Sequence, residues 1–372
     1  MRGQIISRTA TGLPARFPYR LSYLTVTFRV STPLERSNNR PIGPNPNPRR
    51  AMLRKGILVL SESSAAKKIL TGTRLTRSMS QRFVPGETVD SVIDAARSAN
   101  AEGLKVTANY LGEYVEDRPT AIAAADAYIE LLSRIQDEGL DANVSLKFTQ
   151  MGQGIDEGFL RENLGRVLEQ AEKGKTFLRF DMESSDLTQR TLDAFEEIWS
   201  QGWQNTGVVL QAYLHRTAGD VERMIELGAR VRLCKGAYDE PEKIAYKEMD
   251  RIRINLLELM QRLLTDGNYP AIASHDPMII DATRAYAEQA GIPRERFEFQ
   301  MLFGVRRDLQ QELVEAGYNV RVYIPFGEMW YPYLMRRLAE RPENLRFMAG
   351  GIIRDSPFRF LMPGGRKPAS TD

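Results

Sequence analysis

The sequence predicts an α/β chain folded as a closed (β/α)8 TIM-type barrel with N-terminal helices. Two observations lead there, and a third removes the main competitor. From about residue 100 onward, a short β-rich apolar run, a polar loop and a charged stretch of helical period follow one another eight times. These units occupy roughly 235 residues, close to the about 250 of a closed barrel. No G-x-G-x-x-G follows the first strand and no Walker A motif occurs, so a Rossmann or P-loop site has no support.

In chain order, residues 1–50 are expected to be a disordered basic leader. They hold nine Arg, no Lys and one acid, Glu35, so a net charge of +3 divides into +8 here and −5 over residues 51–372. They also hold seven of the 19 prolines, and the run Ser37–Arg50 has neither a helical nor a strand period. Three readings stay open: an organellar transit peptide, a solvated tail, or a translation start at Met52. Residues 51–100 read as N-terminal helices, Ala51–Leu70 and Val89–Asn100, the second entered through Pro85-Gly86-Glu87-Thr88.

The barrel spans residues 101–354. Its expected strands are Leu104–Asn109, Asn143–Thr149, Thr176–Asp181, Gly207–Tyr213, Arg230–Cys234, Ala271–Ser274, Phe297–Leu302 and Asn319–Ile324. Helical patterns cover Glu157–Lys173, Leu187–Gln201, Thr217–Gly228, Lys243–Leu264, Pro277–Ala290, Arg306–Ala316 and Trp330–Arg341. Gly174, Gly202, Gly228, Gly267, Gly291 and Gly317 stand where a left-handed helix cap is wanted. Strands alternating with helices imply right-handed βαβ units and a parallel sheet. Residues 355–372 are expected to be a C-terminal tail.

Composition excludes several classes. The single Cys234 allows no intrachain disulfide, and with His215 and His275 it cannot close a zinc site. No apolar run approaches the length of a membrane span. Past the leader the chain is acidic and carries no basic, aromatic-interleaved face, so nucleic acid is not an expected partner.

Barrel enzymes place their chemistry at the C-terminal ends of the strands. Those ends read Asn109; Lys147 and Gln150; Asp181 and Glu183; Gln211 and Tyr213; Arg232 and Lys235; Ser274 and His275; Gln300; Arg321 and Tyr323. Any one of them reads equally as a polar end before a loop. As a ring they suggest a large polar ligand on the rim. The two-residue period puts Phe177, Arg179 and Asp181 on one face of the third strand and Ser145, Lys147 and Thr149 on one face of the second.

The segments FLRFDME (177–183), VLQAYLHR (209–216), VRLCKGAY (231–238), ASHD (273–276), FEFQMLFG (297–304), RVYIPFG (321–327) and YLMRRLAE (333–340) occur in that order. Together they resemble proline dehydrogenase, the flavin enzyme of proline catabolism, in its short bacterial form. The resemblance covers about residues 52–353, and nothing in the chain resembles the aldehyde dehydrogenase half of the fused bifunctional enzymes.

That resemblance implies FAD held on the barrel's strand ends by Gln211, Arg232, Lys235, Gly236, Ala237, Tyr238, Ser274, His275 and Glu340. Ser274 stands where the family has Thr. Proline would be bound by Lys147, Tyr323, Tyr333, Arg336 and Arg337. Glu113 would pair with the first of the two arginines and help close the pocket. Asp181 and Arg232 would be the catalytic pair, with Arg232 stabilising negative charge on the reduced flavin. Arginine suits the substrate carboxylate because its planar fork binds two oxygens at once. The adjacent Arg336 and Arg337 lie about 100° apart on a helix, so both reach one ligand only over the helix flank. Tyr333 favours proline over hydroxyproline, whose oxidising relatives have a smaller residue there. Cys234 and His215 are expected to be structural.

The implied reaction takes L-proline to 1-pyrroline-5-carboxylate by hydride transfer to flavin N5. Electrons would go to a membrane quinone, and a separate pyrroline-5-carboxylate dehydrogenase would take the product. Peripheral membrane contact follows; the apolar, Arg-containing stretch Asn344–Met362 would either touch a bilayer or fold over the barrel. The chain would be cytoplasmic, at the inner face of the membrane, or mitochondrial if residues 1–50 are a transit peptide. Two rivals remain: a Schiff-base lyase or other barrel enzyme using Lys147 or Lys235, and a non-catalytic barrel.

Overall fold

The structure, a computed structural model, describes residues 81–340. The leader, the predicted Ala51–Leu70 helix and everything after residue 340 lie outside the described residues. Eight parallel strands close into a barrel in sequence order: β1 Lys105–Tyr110, β2 Ala142–Leu146, β3 Leu178–Phe180, β4 Thr206–Gln211, β5 Arg230–Cys234, β6 Ala271–Ala273, β7 Glu298–Leu302 and β8 Asn319–Phe326. Closure is made by β1 against β8, in register from Lys105 opposite Arg321 to Tyr110 opposite Phe326.

The described helices are α1 Val89–Ala101, α2 Arg118–Asp137, α3 Glu157–Lys173, α4 Ser185–Ser200, α5 Thr217–Leu227, α6 Met249–Asp266, α7 Pro277–Gln289, α8 Arg307–Glu315 and α9 Trp330–Glu340. Several begin on a short oxygen-bearing side chain that satisfies a free helix N–H. Thr88 accepts from Ser91, Asp117 from Thr120, Asp156 from Phe159 and Asp276 from Met278. The helix α2 has no counterpart among the periodic stretches read from sequence. Its buried stripe is partly built from Ala121, Ala124 and Ala125, whose small side chains make a weak apolar signal.

Three local expectations are corrected. The left-handed conformation occurs at Gly202, Gly228, Gly291 and Gly317, but neither at Gly174, where Lys175 adopts it instead, nor at Gly267. Gly267 is demanded by space: a Cβ there would lie 2.5 Å from the Leu263 carbonyl oxygen. The helix α6 starts at Met249 and not at Lys243. Residues 241–246 instead clamp onto the end of β4, with Tyr246 N–H donating to the Tyr213 carbonyl and His215 N–H to that of Ile244. The helix α4 starts at Ser185 and not Leu187, because Glu240 reaches over from the loop after β5 and accepts from the Ser185 N–H at 2.7 Å.

Alternation along the strands sets two environments. Val106, Ala108, Val144, Leu146, Leu178, Phe180, Val231, Leu233, Ile272, Phe299, Val320 and Val322 are buried in one continuous core that includes apolar positions of the helices. The other face points into the barrel and is polar well below the rim: Thr107, Asn143, Arg179, Glu298 and Arg321 are all buried. Arg321 and Gln300 are therefore not rim residues. Arg321 sits opposite Lys105 at the start of β1, donates its Nε to both Glu298 oxygens at 2.9 and 3.0 Å and caps the Val106 carbonyl, while Gln300 donates to Glu298.

Candidate active site

At the upper end of the barrel interior, side chains from three strands converge on the carboxylate of Asp181. Asp181 follows the last residue of β3 and is buried. Its Oδ1 accepts from Arg232 on β5 at 2.8 Å and from the Ser145 hydroxyl on β2; its Oδ2 accepts from the Tyr323 hydroxyl on β8 at 2.8 Å. Arg232 also reaches Ser145 Oγ at 3.3 Å and lies 5.3 Å from the centre of the Tyr323 ring. Burial, reinforced by the Asp181 charge, holds the Tyr323 hydroxyl well above the ordinary phenol range, so it stays a neutral donor.

The Arg232 guanidinium is only partly satisfied. Its Nε and Nη2 are buried and have no hydrogen-bond partner among the described residues. Buried N–H donors are normally paired, because leaving one unpaired costs about 1–3 kcal/mol. Two on one cation, at the strand ends of a barrel, are donors suited to an acceptor-rich ligand.

Other site candidates stand around this centre. Lys147 is half-buried on the β2 rim, close enough for its charge to act on Glu183. Glu183 is fully buried; its Oε2 accepts from the Thr149 hydroxyl at 2.7 Å, and its carbonyl accepts from the Gln211 side chain at 2.9 Å. Burial pushes the Glu183 carboxyl above its ordinary pKa, and the Thr149 bonds and Lys147 oppose that shift. Gln211 spends one of its two N–H groups on the Glu183 carbonyl, which leaves its side-chain oxygen and the second N–H to offer a ligand.

The loop after β5 carries Lys235, Gly236, Ala237 and Tyr238. Lys235 and Ala237 are exposed. Gly236 has φ 109°, and a Cβ there would fall 2.2 Å from the Tyr213 ring, so only glycine brings this backbone onto that aromatic face. Past β6, the Ser274 hydroxyl accepts from the Asp276 N–H. His275 Nε2 accepts from the Leu302 N–H at 2.9 Å, which places the proton of the neutral ring on Nδ1.

On α9, Tyr333 is buried with Val84 and Leu111, and the Arg337 guanidinium lies 5.4 Å from the Tyr333 ring centre. Glu113 lies in the loop between β1 and α2. The side chains of Arg336 and Glu340 are outside the described residues.

His215 lies away from this centre, bonded to the Glu242 carbonyl and edge-on to Tyr246. The Cys234 thiol ends β5, and burial pushes its pKa up to about 11. It is expected to alkylate with iodoacetamide at pH 7 about 100-fold more slowly than an ordinary exposed thiol. Labelling at the rate of a free thiol would show it to be activated. Sequence reading did not single out Ser145 or Thr149 as functional, although both carried the two-residue-period signal with Lys147. Among the described residues no cluster of three His, Cys, Asp or Glu side chains is placed to hold a metal.

Fold and site define a (β/α)8 barrel with a charged, hydrogen-bonded polar centre at the C-terminal ends of its strands, the arrangement of a barrel enzyme. The comparisons make that class specific. A family model described as "Proline dehydrogenase" matches residues 92–350. "Proline dehydrogenase 2" of Bacillus subtilis (strain 168) is 40% identical over 299 residues, covering 80% of this chain and 97% of that protein. "Proline dehydrogenase" of Deinococcus radiodurans is 35% identical over 309 residues, covering 82% and 98%. Among solved structures, proline utilization A (PutA) from Bdellovibrio bacteriovorus, inactivated by N-propargylglycine, superposes with a TM-score of 0.70 at 24% identity and shares the fold. That match covers 84% of this chain and 39% of the longer one. The chain belongs to the proline dehydrogenase family.

Proposed function

We propose that the chain is an FAD-dependent proline dehydrogenase that oxidises L-proline to 1-pyrroline-5-carboxylate and passes the electrons to a membrane quinone. Family membership supports the reaction, and one observation carries the site: Arg232, anchored by Asp181, keeps two buried donors with no partner among the described residues at the strand ends. The fit to a flavin rests on those donors, on the Gln211 oxygen and on the close-packed Gly236 turn. Gln211, Arg232, Lys235, Gly236, Ala237, Tyr238, Ser274, His275 and Glu340 would hold it. When bound, FAD supplies the hydride acceptor for the carbon beside the proline nitrogen.

The chain's own residues then have separable tasks. Arg232 presents fixed positive charge where negative charge develops, which needs no reorganisation during reaction. Asp181, already accepting from Arg232, Ser145 and Tyr323, acts as the anchor that orients both catalytic arginine and phenol. Arg336, Arg337 and Lys147 bind the substrate carboxylate. Tyr323 and Tyr333 enclose the apolar ring, with Tyr333 favouring proline over its hydroxylated analogue. Glu113 pairs with Arg336 to close the pocket.

Quinone reduction implies peripheral contact with the membrane's inner face; among the described residues no helix is long and apolar enough to cross it. A separate pyrroline-5-carboxylate dehydrogenase would consume the product. A mitochondrial location would follow if residues 1–50 are a transit peptide. The lyase alternative draws no support from Lys235, which is exposed, whereas a nucleophilic amine needs desolvation.

The test is an absorbance spectrum before and after anaerobic addition of proline. A yellow protein that bleaches supports the assignment; a colourless one, or a flavin indifferent to proline, overturns it. Arg337→Ala should raise the proline KM roughly 10- to 100-fold with flavin retained, as expected for losing a charged hydrogen bond. An unchanged KM would remove Arg337 from the substrate site.

A further inference from the structure

The loop that carries Glu113 is stitched to the barrel by a chain of hydrogen bonds ending on a buried acid that the proposed reaction does not use. Thr149, just after β2, is the hub. Its carbonyl accepts from the Val115 N–H at 3.2 Å. Its hydroxyl accepts from the Tyr114 N–H at 3.1 Å. The two backbone N–H groups that follow Glu113 are thus both held by one residue.

The Thr149 hydroxyl has a single proton, and it is given to Glu183 Oε2 at 2.7 Å, while the Thr149 N–H points to Glu183 Oε1 at 3.4 Å. With its proton committed to Glu183, the hydroxyl has only lone pairs left for Tyr114. Glu183 therefore decides which way Thr149 faces. A second stitch lies alongside, Tyr114 Oη to Ser184 Oγ at 3.2 Å, on the residue after Glu183.

These bonds hold a strained conformation. Tyr114 has φ 53°, in the left-handed region that non-glycine residues avoid, and its ring is half exposed, so apolar packing does little to keep it there. Two residues before it, Gly112 is pressed against the Gln150 side chain, where a Cβ would come within 2.7 Å. Without the Thr149 hub the loop has reason to relax out of this shape.

We propose that Glu183 is a positioning residue for substrate closure: through Thr149 it holds the strained Gly112–Val115 loop so that Glu113 stands at the mouth of the site. This rests on the proline-oxidising assignment above and on the closing role given there to Glu113. Its consequence concerns substrate retention more than the chemical step, because Glu183 reaches the substrate only through Thr149 and the loop.

The flavin-loaded full chain tests it with two readouts. Glu183→Ala and Thr149→Val should each raise the proline KM about tenfold with kcat changed less than twofold. Both should speed amide hydrogen exchange of segment 111–117 about tenfold or more, with exchange of the strands unchanged. The double variant should be no worse than Glu183→Ala, since one chain of bonds is broken in both. Glu183→Gln keeps an acceptor for the Thr149 hydroxyl and should restore KM to within about threefold of the starting protein.

The proposal is overturned if segment 111–117 exchanges at the unaltered rate in Glu183→Ala and Thr149→Val. It is overturned equally if exchange rises but KM does not, or if kcat and flavin content fall together with global protection. Thr149→Val is close to isosteric, so it decides the matter should Glu183→Ala not fold. Glu113→Gln separates the assignments: an unchanged KM there removes the closing role of Glu113, whereas the exchange data judge the Glu183–Thr149 strap independently.

Discussion

Arg232→Met is expected to lower kcat for proline by about 10²- to 10³-fold, the loss typical of removing one preorganised donor at a site of developing charge. The methionine fills similar space, and Asp181 keeps the Tyr323 and Ser145 bonds, so the barrel should stay closed. What disappears is a buried cation whose Nη1 is fixed by Asp181 and whose two other nitrogens have no partner among the described residues. Arg232→Lys should recover only part of the rate, since a single ammonium nitrogen held at Asp181 cannot place donors at the separate positions of the arginine Nε and Nη2. Steady-state rates with an artificial acceptor, scored per bound flavin, make the comparison. A kcat within threefold of the starting enzyme would remove Arg232 from the chemical step.

The largest effect on stability is expected at the opposite end of the barrel. Glu298→Ala should lower the unfolding free energy by about 3–5 kcal/mol, because it strands the buried Arg321 charge. In a domain of this size that is roughly 10 °C in Tm. The double variant Glu298→Met with Arg321→Met should be less destabilised than either single change, since removing both charges removes the stranded ion. A double variant that melts lower still would refute this account.

The pH dependence has a defined sign. Burial pushes the Glu298 carboxyl up, but the Arg321 charge and the bonds from Arg321 and Gln300 outweigh it, so the folded-state pKa is lowered. A depressed carboxyl pKa contributes stability above the unfolded-state value and loses it as pH falls through the folded one. The difference in Tm between the unaltered chain and Glu298→Ala should therefore be full at neutral pH and shrink below about pH 4. A gap that widened in acid would contradict the pairing.

Much of the architecture was legible in the chain because its signals are local. Each strand candidate overlaps an observed strand, and Arg230–Cys234 coincides with β5. The misplaced starts of α4 and α6 have a common cause. At both, a contact from elsewhere decides where the helix begins: Glu240 on Ser185 in one case, and the clamp of residues 241–246 on the end of β4 in the other. The two-residue period also put Ser145, Lys147 and Thr149 on one face, but it could not say how deep along the barrel each polar side chain would lie. That depth separates Arg232, which serves the rim, from Arg321, which serves the base.

Alternation of strand and helix, the acidic net charge of residues 51–372, the exclusion of disulfides and the family's run of motifs were all decided by residue order, because each depends on neighbours within a few positions or on simple counts. Which groups meet was decided by closure of the barrel. Tyr323 donates to Asp181 across 142 positions of chain, and Arg232 does so across 51. Thr149 holds the amide of Tyr114 from 35 positions away while it leans on Glu183 from 34. Such contacts depend on strand register around the whole circuit and on which rotamer reaches the axis. No local period encodes either, and the polar interior of this barrel exists only once all eight strands are in place.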